Sequence, residues 1–370
     1  MRKILNLLLI LIVCGCKSNS TDCTEYKNCK TFEISFKKDY KEKIYLSEML
    51  DSEEFIQLET LDECLISDIN KLIAINNKYY IYDRVEDVIF IFSKDGKFLN
   101  KISEKGRGPG QYISIACFDV NPKTNEINIL DLNSKRMIVY DDNCQLNRTI
   151  EINDIVRDFM ICENGDYLFF TNDKNEGSRR GLWRCDNTGL FKEQLVEIDE
   201  DFDYGGHNPY YLQRINIDLI GFMGLEDKGL IYHITNDAIT PRYNINVDMK
   251  ISDDIINSSD RSLKDYKGMT YKFFGYVETY KYIKFVTSNL DDKNILLYYD
   301  KINDTCKKIT EDEDFIYDTD FLMLGTLVTE YNDKMISHIS ALKIMDTPEL
   351  KDKFPNVDEN SNPFLGIYKF

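Results

Sequence analysis

Few residues of this chain could serve as metal ligands or as general acids and bases, and they are widely spaced. Histidine occurs three times, at His207, His233 and His338. His233 lies in the apolar run 232–234, which favours a core histidine over a zinc ligand or a catalytic base, although a fold could still bring the three histidines together. No Gly-x-Ser-x-Gly elbow is present, so the usual serine hydrolase nucleophile is missing. The sequence therefore predicts no catalytic residues, no metal site and no cofactor.

Acidic residues are the most abundant ionisable groups. Asp and Glu number 64 against 46 Lys and Arg, which gives a formal net charge of −18. Asp201 with Asp203, or the run 311–314, could bind Ca²⁺ through carboxylate oxygens, but no Asp-x-Asp-x-Asp-Gly loop is present and solvated acidic loops are favoured. Nucleic-acid binding depends on Lys and Arg that neutralise phosphates, and the chain has no basic stripe. Nucleic acid is therefore excluded as a partner.

A second group of residues is suited to recognition. It comprises Arg180, Trp183, Arg184, His207, Tyr210 and Tyr211. Aromatic and arginine side chains dominate binding surfaces because they provide contact area and directed hydrogen bonds. The alternative is that Trp183 belongs to the core and that the arginines are solvated counter-charges to an acidic body. We interpret the group as a candidate binding surface for a peptide, a glycan or a protein.

These candidates must be positioned by short strands, because the chain repeats a strand pattern. Its 24 Tyr and 21 Phe residues favour strands. Asp83 and Ile102 correspond to Asp131 and Ile150, each 48 residues later. Apolar strands on either side of Asp95-Gly96 indicate a hairpin. A repeat of about 40 to 50 residues with about four strands is typical of propeller blades.

Weaker copies of the pattern continue to the end of the chain and make about six blades. We therefore predict an all-β fold, a six-bladed β-propeller of four-stranded antiparallel blades, formed by residues 31–370 as a single domain. The ring must close to protect its edges. Segments 55–58 and 364–370 are expected to share the closing blade. The clearest helical signal begins at Thr347-Pro348, before the final strand.

A glycine-rich segment follows the first copy of the repeat. It contains Gly106, Gly108, Pro109 and Gly110. The glycines allow a sharp turn from the outer edge of one blade to the inner strand of the next, and the proline limits slack. A phosphate-binding loop is not supported, because no Lys-Ser/Thr pair and no amphipathic helix follow.

The segment 106–112 with Asp83 and the turn 94–98 resembles the G-x-G-P-G-E-[FY] linker of NHL-like or TolB-like propellers and of the six-bladed β-propeller lipoproteins of Bacteroidetes. The C-terminal segment 362–369 is similar to the last strand of that lipoprotein family. Gln111 replaces the usual acidic residue, and Cys144 replaces a turn glycine. The resemblance implies an envelope propeller for which no catalytic set is established.

The N-terminal segment resembles a lipoprotein signal. Arg2 and Lys3 precede an apolar run over 4–13 that is too short to span a bilayer. Residues 13–16 resemble a lipobox, which implies cleavage before Cys16 and its acylation in the cell envelope, at the outer membrane. Residues 1–15 are then a signal peptide and 16–30 a lipidated polar tether. An ordinary secretory signal followed by a chance cysteine is the alternative.

The other cysteines give one further expectation. Cys23 and Cys29 are close enough in sequence to form a disulfide in an oxidising envelope. No C-x-x-C occurs, so neither a zinc ribbon nor a thioredoxin-like motif is available.

These features together predict a lipid-anchored envelope propeller that binds a peptide, glycan or protein at one face and carries out no chemistry. One alternative is a lyase or hydrolase with a metal- or carboxylate-based site in the central channel. Another is a structural scaffold of an outer-membrane assembly. A cluster of His and acidic residues at the channel mouth would favour the enzyme, and an exposed apolar patch would favour the scaffold.

Overall fold

The computed structural model describes residues 30–34, 49–173, 179–198, 211–225, 229–247, 270–289, 294–309, 325–326 and 334–370. These residues form six sheets, five with four strands and one with five. The sheets are the blades of a six-bladed propeller, which confirms the predicted fold class. The resemblance to six-bladed propellers predicted the same architecture, and this part of it is confirmed.

The strands are named in chain order. They are β1 (Lys30–Ile34), β2 (Ser52–Gln57), β3 (Lys71–Ile75), β4 (Lys78–Asp83), β5 (Val88–Ser93), β6 (Phe98–Ile102), β7 (Cys117–Val120), β8 (Ile127–Asp131), β9 (Arg136–Tyr140), β10 (Leu146–Glu151), β11 (Asp158–Ile161), β12 (Tyr167–Thr171), β13 (Gly181–Cys185), β14 (Phe191–Val196), β15 (Leu212–Arg214), β16 (Ile220–Leu225), β17 (Leu230–Ile234), β18 (Ile239–Val247), β19 (Thr270–Glu278), β20 (Tyr282–Asn289), β21 (Asn294–Asp300), β22 (Thr305–Ile309), β23 (Gly325–Thr326), β24 (Lys334–Ile339) and β25 (Phe364–Lys369).

Each blade takes four strands in order from the channel outwards. Blade 1 is β3–β6, blade 2 is β7–β10, blade 3 is β11–β14, blade 4 is β15–β18 and blade 5 is β19–β22. Blade 6 is β23, β24, β25 and then β2. Blade 4 also carries β1, which pairs in parallel with the outer strand β18.

Blade 6 closes the ring by combining both ends of the folded body. Strand β2 pairs antiparallel with β25, with Phe55 opposite Gly366. The predicted shared closing blade is confirmed. Asn362 reinforces the closure, because its Nδ2 donates to the carbonyls of Glu59 and Cys64, both at 2.8 Å. Its Oδ1 accepts from the backbone N–H of Ile66 at 2.8 Å.

The inner strands of the blades are mostly apolar runs because both faces of a blade are covered by neighbouring blades, whereas the outermost strands, such as β10 and β14, are largely exposed. In β4, Tyr80 and Tyr82 pack against blade 2, whereas Tyr79 and Ile81 pack against blade 6. Successive side chains of a strand point to opposite faces, so each run contributes to two apolar interfaces. The core is thus a set of layers between blades rather than one central cluster.

Blades 1 and 2 repeat their turn geometry as well as their strands. The equivalent turn residues, each 48 apart, are Asn77 and Asn125, Asp87 and Lys135, and Gly96 and Cys144, all with φ between 54 and 79°. The predicted replacement of a turn glycine by Cys144 is therefore confirmed in the backbone. A side chain at such a φ costs about 1–2 kcal/mol relative to glycine.

Two short helices, α1 (Ala341–Asp346) and α2 (Pro348–Lys353), lie between β24 and β25. The predicted helix start is confirmed, since Thr347 is the N-cap of α2 and Pro348 its first residue. Within the described ranges, neither of these helices nor any other is long and apolar enough to cross a membrane.

Candidate functional site

A polar pocket of about 440 Å³ opens where the inner strands of blades 1 to 4 begin. This volume lies within the range of small-molecule sites. We call it the mouth pocket, defined by its lining residues. They are Asn70, Tyr82, Arg84, Val85, Asp87, Lys105, Ser114, Ile115, Ala116, Arg157, Asn172 and Tyr211.

The propeller topology brings these distant residues together. Asn70, Ala116, Arg157 and Tyr211 each immediately precede an inner strand: β3, β7, β11 and β15, respectively. The inner strands converge on the channel, so the residues at their starts meet around its mouth. Each of the four blades therefore contributes the residue before its inner strand to the pocket.

The turn between β4 and β5 forms one wall. Asp83 is fully buried, and its Oδ1 accepts from the backbone N–H groups of Val85 at 2.9 Å and Glu86 at 3.2 Å. Its Oδ2 accepts from the N–H of Ser67 at 2.6 Å. This buried carboxylate holds the turn that presents Arg84 to the pocket.

The linker between β6 and β7 forms the adjoining wall. Tyr112 is fully buried and donates its hydroxyl to the carbonyl of Asp87 at 2.7 Å. Lys105 Nζ lies 3.1 Å from Asp87 Oδ2. The Ile115 N–H also donates to Asp87 Oδ1 at 3.0 Å, so two buried hydrogen bonds and one ion pair join the linker to the β4–β5 turn.

The glycines of this linker have two distinct roles. Gly110 has a φ of +71°, in the left-handed region. Gly106 and Gly108 instead make room for the Gln111 side chain, since a Cβ at Gly106 would lie 2.3 Å from Gln111 Oε1. That oxygen accepts from the Gly108 N–H at 2.9 Å. These contacts agree with a blade-linker role for the segment that contains Pro109.

The mouth pocket is locally cationic although the chain as a whole is acidic. Arg84, Lys105 and Arg157 line it together with one carboxylate, Asp87. Lys105 pairs with Asp87, and Arg157 pairs with Asp173 Oδ2 at 2.7 Å. Arg84 is exposed and makes no hydrogen bond or ion pair with any residue that the structure describes.

Beneath the pocket lies a buried polar cluster formed by the first residues of β3, β7 and β11. Lys71 Nζ lies 3.3 Å from Cys117 Sγ and 3.7 Å from Asp158 Oδ1. Cys117 Sγ donates to Asp158 Oδ1 at 3.3 Å. Burial raises the pKa of the Cys117 thiol to about 12, so the thiol is protonated at neutral pH. This thiol is not an activated nucleophile.

Further contacts make this cluster part of the scaffold. Asp158 Oδ2 accepts from the backbone N–H groups of Tyr211 at 3.0 Å and Leu212 at 2.9 Å. Deeper in the channel, Arg214 Nη2 lies 2.9 Å from Asp119 Oδ2. These buried contacts join blades 1 to 4 beneath the pocket. Within the described residues, no group of three or more His, Cys, Asp or Glu could hold a metal ion.

Two of the predicted recognition residues lie at the mouth pocket. Tyr211 lines it, and its hydroxyl accepts from Asn172 Nδ2 at 3.3 Å. Arg180 Nη2 donates to the backbone carbonyl of Asn172 at 3.3 Å. Arg180 thus supports the pocket wall from behind.

Two other predicted residues lie elsewhere. Trp183 is 0% exposed and packs in the layer between blades 2 and 3, with its ring 6.1 Å from that of Phe169. Arg184 is also buried, and its Nη2 donates to the carbonyl of Thr235 at 2.9 Å, in the β17–β18 turn. Both sit on β13, whose faces are covered by neighbouring blades. Trp183 is therefore a core residue, as the alternative interpretation predicts. Arg184 makes a buried contact between blades and is not a solvated counter-charge.

The remaining expectations fall outside the described residues or away from the pocket. Cys16, Cys23, Cys29, His207 and Tyr210 lie outside the described ranges. Of the other histidines, His233 Nε2 lies 2.9 Å from Glu278 Oε2 at the interface of blades 4 and 5.

Sequence reasoning did not find Arg84, Arg157 or Asn70. A signal was present, because Asn70 and Arg157 stand directly before predicted strands and Arg84 follows the repeated aspartate Asp83. Their proximity to one another depends on the ring, which local sequence does not show.

Comparison with known proteins gives a family and a fold. A family model described as "Domain of unknown function (DUF4934)" matches residues 30–369. No curated protein matches the chain. A protein of Bacteroides fragilis NCTC 9343 described as exported has a TM-score of 0.76 at 16% identity, over 92% of this chain and 99% of its own. A member of the DUF4221 family from Bacteroides vulgatus ATCC 8482 has a TM-score of 0.51 at 11% identity, over 87% and 96%.

Proposed function

The chain belongs to the DUF4934 family, and we propose that it is an exported, lipid-anchored propeller that binds a small ligand in the mouth pocket without transforming it. The family description names no activity, and the support for this function comes from the geometry of the site. The observation that carries the proposal is a pocket of small-molecule size, about 440 Å³, at the end of the channel. Loops held at the rim of a rigid scaffold are the usual location of binding sites.

The pocket walls are pre-organised for binding. The buried carboxylate of Asp83 and the buried hydroxyl of Tyr112 fix the turn and the linker that form two of the walls. A wall that is ordered before the ligand arrives loses little conformational entropy on binding. This arrangement supports selective recognition of a ligand of defined shape.

The polar groups under the pocket favour binding over catalysis. Lys71, Cys117 and Asp158 satisfy one another, and the Cys117 thiol is held protonated by its burial. An enzyme of the hydrolase or lyase class needs an ionisable group that is free to exchange a proton with the substrate. The cluster instead stabilises the contact between three blades.

Attachment to a membrane through Cys16 completes the proposal. The Bacteroides fragilis protein of similar fold is described as exported, and we propose the cell envelope, at the outer membrane, as the location of this chain as well. The Cys16→Ala variant should leave the membrane fraction and become soluble, whereas Cys144→Ala should stay with the membrane. Membrane retention of Cys16→Ala would show that the anchor is not a lipid on this residue.

Ligand binding can be tested by thermal shift of the detergent-solubilised full-length chain against a library of oligosaccharides, peptides and small organic acids. A ligand at 100 times its Kd stabilises the folded state by about 2.7 kcal/mol. Ala116→Trp should fill the pocket and abolish the shift, because Ala116 is an exposed lining residue.

The matched control is Asn143→Trp, an exposed position in the β9–β10 turn at the opposite end of the blades. This variant should respond to the ligand as the unaltered chain does. A library without hits, or hits that persist in Ala116→Trp, would contradict binding in the mouth pocket. Conversion of the bound compound to a product would contradict the proposal that the protein binds its ligand without transforming it.

A further inference from the structure

We infer that the ligand of the mouth pocket is a small carbohydrate that carries a carboxylate, such as a uronic acid oligosaccharide, with Arg84 binding the carboxylate. This inference rests on the proposed function and names the chemical class of the ligand. It is carried by three features of the pocket: a guanidinium with no partner among the described residues, neutral groups that suit hydroxyls, and a local charge opposite to that of the chain.

Arg84 is the first feature. It is exposed at the pocket and has no hydrogen bond or ion pair within the described ranges. The neighbouring cations differ, because Lys105 is held by Asp87 and Arg157 by Asp173. A guanidinium presents parallel N–H donors that match the two oxygens of a carboxylate. Judged on the described part of the chain, Arg84 is therefore the cation of this pocket that is available to a ligand.

Neutral polar side chains form the second feature. The Asn70 amide makes no hydrogen bond with the described part of the chain, so it is available as both donor and acceptor. Ser114 Oγ accepts from Asn133 Nδ2 at 2.7 Å and keeps its own O–H to donate. Asn172 uses its nitrogen on Tyr211 and retains its side-chain oxygen. Groups that can both donate and accept suit sugar hydroxyls, which do the same.

Charge and size form the third feature. The pocket is lined by three cations and one carboxylate, in a chain with a net charge of −18. The surrounding negative charge repels an extended polyanion, while the local cations attract a single acidic group. A volume of about 440 Å³ accommodates a short oligosaccharide segment rather than a folded partner. A small acidic sugar satisfies both conditions.

The test uses isothermal titration calorimetry of the detergent-solubilised full-length chain with trisaccharides of galacturonate, glucuronate and mannuronate. Each trisaccharide is paired with its methyl ester, which has the same ring and no charge. We expect at least one acid to bind, and its ester to bind at least about tenfold more weakly, since hydrogen bonds to charged groups are the stronger ones.

Substitution of Arg84 tests whether this residue causes the preference for the acid over its methyl ester. Arg84→Gln should weaken binding of the acid at least about tenfold and leave the ester unchanged, and Arg84→Lys should fall between the two. Lys94→Gln removes the same charge from an exposed turn at the opposite end of blade 1 and should bind like the unaltered chain. Arg84 makes no hydrogen bond or ion pair with the described residues, so equal thermal midpoints should show that the fold is intact.

The outcomes separate this inference from the proposed function. Equal binding of acid and ester, or full binding by Arg84→Gln, would overturn the assignment of an acidic sugar. If Ala116→Trp still abolished that binding, the mouth pocket would remain the ligand site. Absence of binding by all three acids at millimolar concentration would also overturn the inference, and the broader library would then decide the proposed function separately.

Discussion

At the scale of single residues, Lys284 shows how burial changes a charged side chain. It lies on β20, is 1% exposed, and has no hydrogen bond or ion pair with any described residue. Its Nζ lies 3.4 Å from the position of a Cβ on Gly275, in the neighbouring inner strand β19. Desolvation lowers the pKa of Lys284 from 10.5 to about 8.

We predict that Lys284→Met stabilises the protein at neutral pH. The pKa of this lysine is lower in the folded than in the unfolded state, so the unfolded state binds more protons between pH 8 and 10.5. Below about pH 8 the charged amine therefore destabilises the fold by about 3 kcal/mol, and this penalty shrinks as the pH rises towards 10.5. Urea unfolding at about pH 7 and about pH 9.5 should show a smaller gap between variant and parent at the higher pH. An equal gap at both pH values would contradict the assigned pKa.

Which side chains form the site was the feature hardest to predict from the sequence. Trp183 and Arg184 form a pair of a type common on binding surfaces, but β13 is covered on both faces. Arg84 follows the repeated aspartate Asp83, but its proximity to Arg157 of blade 3 depends on the ring. Burial and proximity of this kind depend on how the blades pack.

At the scale of elements, Glu278 joins several strands at the interface of blades 4 and 5. It ends β19, and its Oε2 accepts from His233 on β17 and from the hydroxyl of Tyr276. Its Oε1 lies 2.9 Å from Lys301 Nζ in the β21–β22 turn. Burial alone would raise the pKa of Glu278, but the hydrogen bond from His233 and the charge of Lys301 lower it to about 2.

We predict that Glu278→Gln lowers the free energy of unfolding at neutral pH and makes it less dependent on pH in the acid range. The folded-state pKa lies below the usual value of 4.5, so the carboxylate stabilises the fold above pH 4.5 and this stabilisation is lost as the pH falls towards 2. The shift corresponds to about 3 kcal/mol. Urea unfolding from about pH 7 to about pH 3 measures it, with Glu349→Gln on the exposed face of α2 as control. Parallel acid responses of Glu278→Gln and its parent would refute this role.

The elements of blades 1 and 2 could be predicted because their turns repeat. Residues such as Gly96 and Cys144 occupy equivalent left-handed positions, and each follows an apolar run, β5 or β9. Strand β1 was not predicted, since a parallel strand added to the edge of blade 4 has neither a hairpin turn nor a repeat partner. Its pairing depends on the edge that β18 presents.

At the scale of the whole molecule, the Asn362 side chain stabilises the closure of the ring. It connects the segment before β25 to residues 59–66, almost 300 positions earlier, through three side-chain hydrogen bonds. The predicted closing segment 364–370 is confirmed, because β25 completes blade 6. The sequence did not show that Asn362 itself makes these bonds.

We predict that Asn362→Ala destabilises the protein by about 3 kcal/mol, because the buried carbonyl of Cys64, the carbonyl of Glu59 and the N–H of Ile66 each lose a hydrogen bond worth about 1 kcal/mol. Asn360→Ala, at an exposed position two residues earlier, should have little effect. Urea unfolding followed by tyrosine fluorescence compares the two variants. A loss no larger than that of Asn360→Ala would show that strand pairing alone closes the ring.

The pairing of β2 with β25 also determines when the ring can close during synthesis. Strand β2 is made before any inner strand, yet its partner follows every other blade along the chain. Until β25 has left the ribosome, β2 has no edge to join and the first blade has no neighbour on one side. The ring therefore completes only after the last blade has been translated, and blades that fold before then can form only an open array.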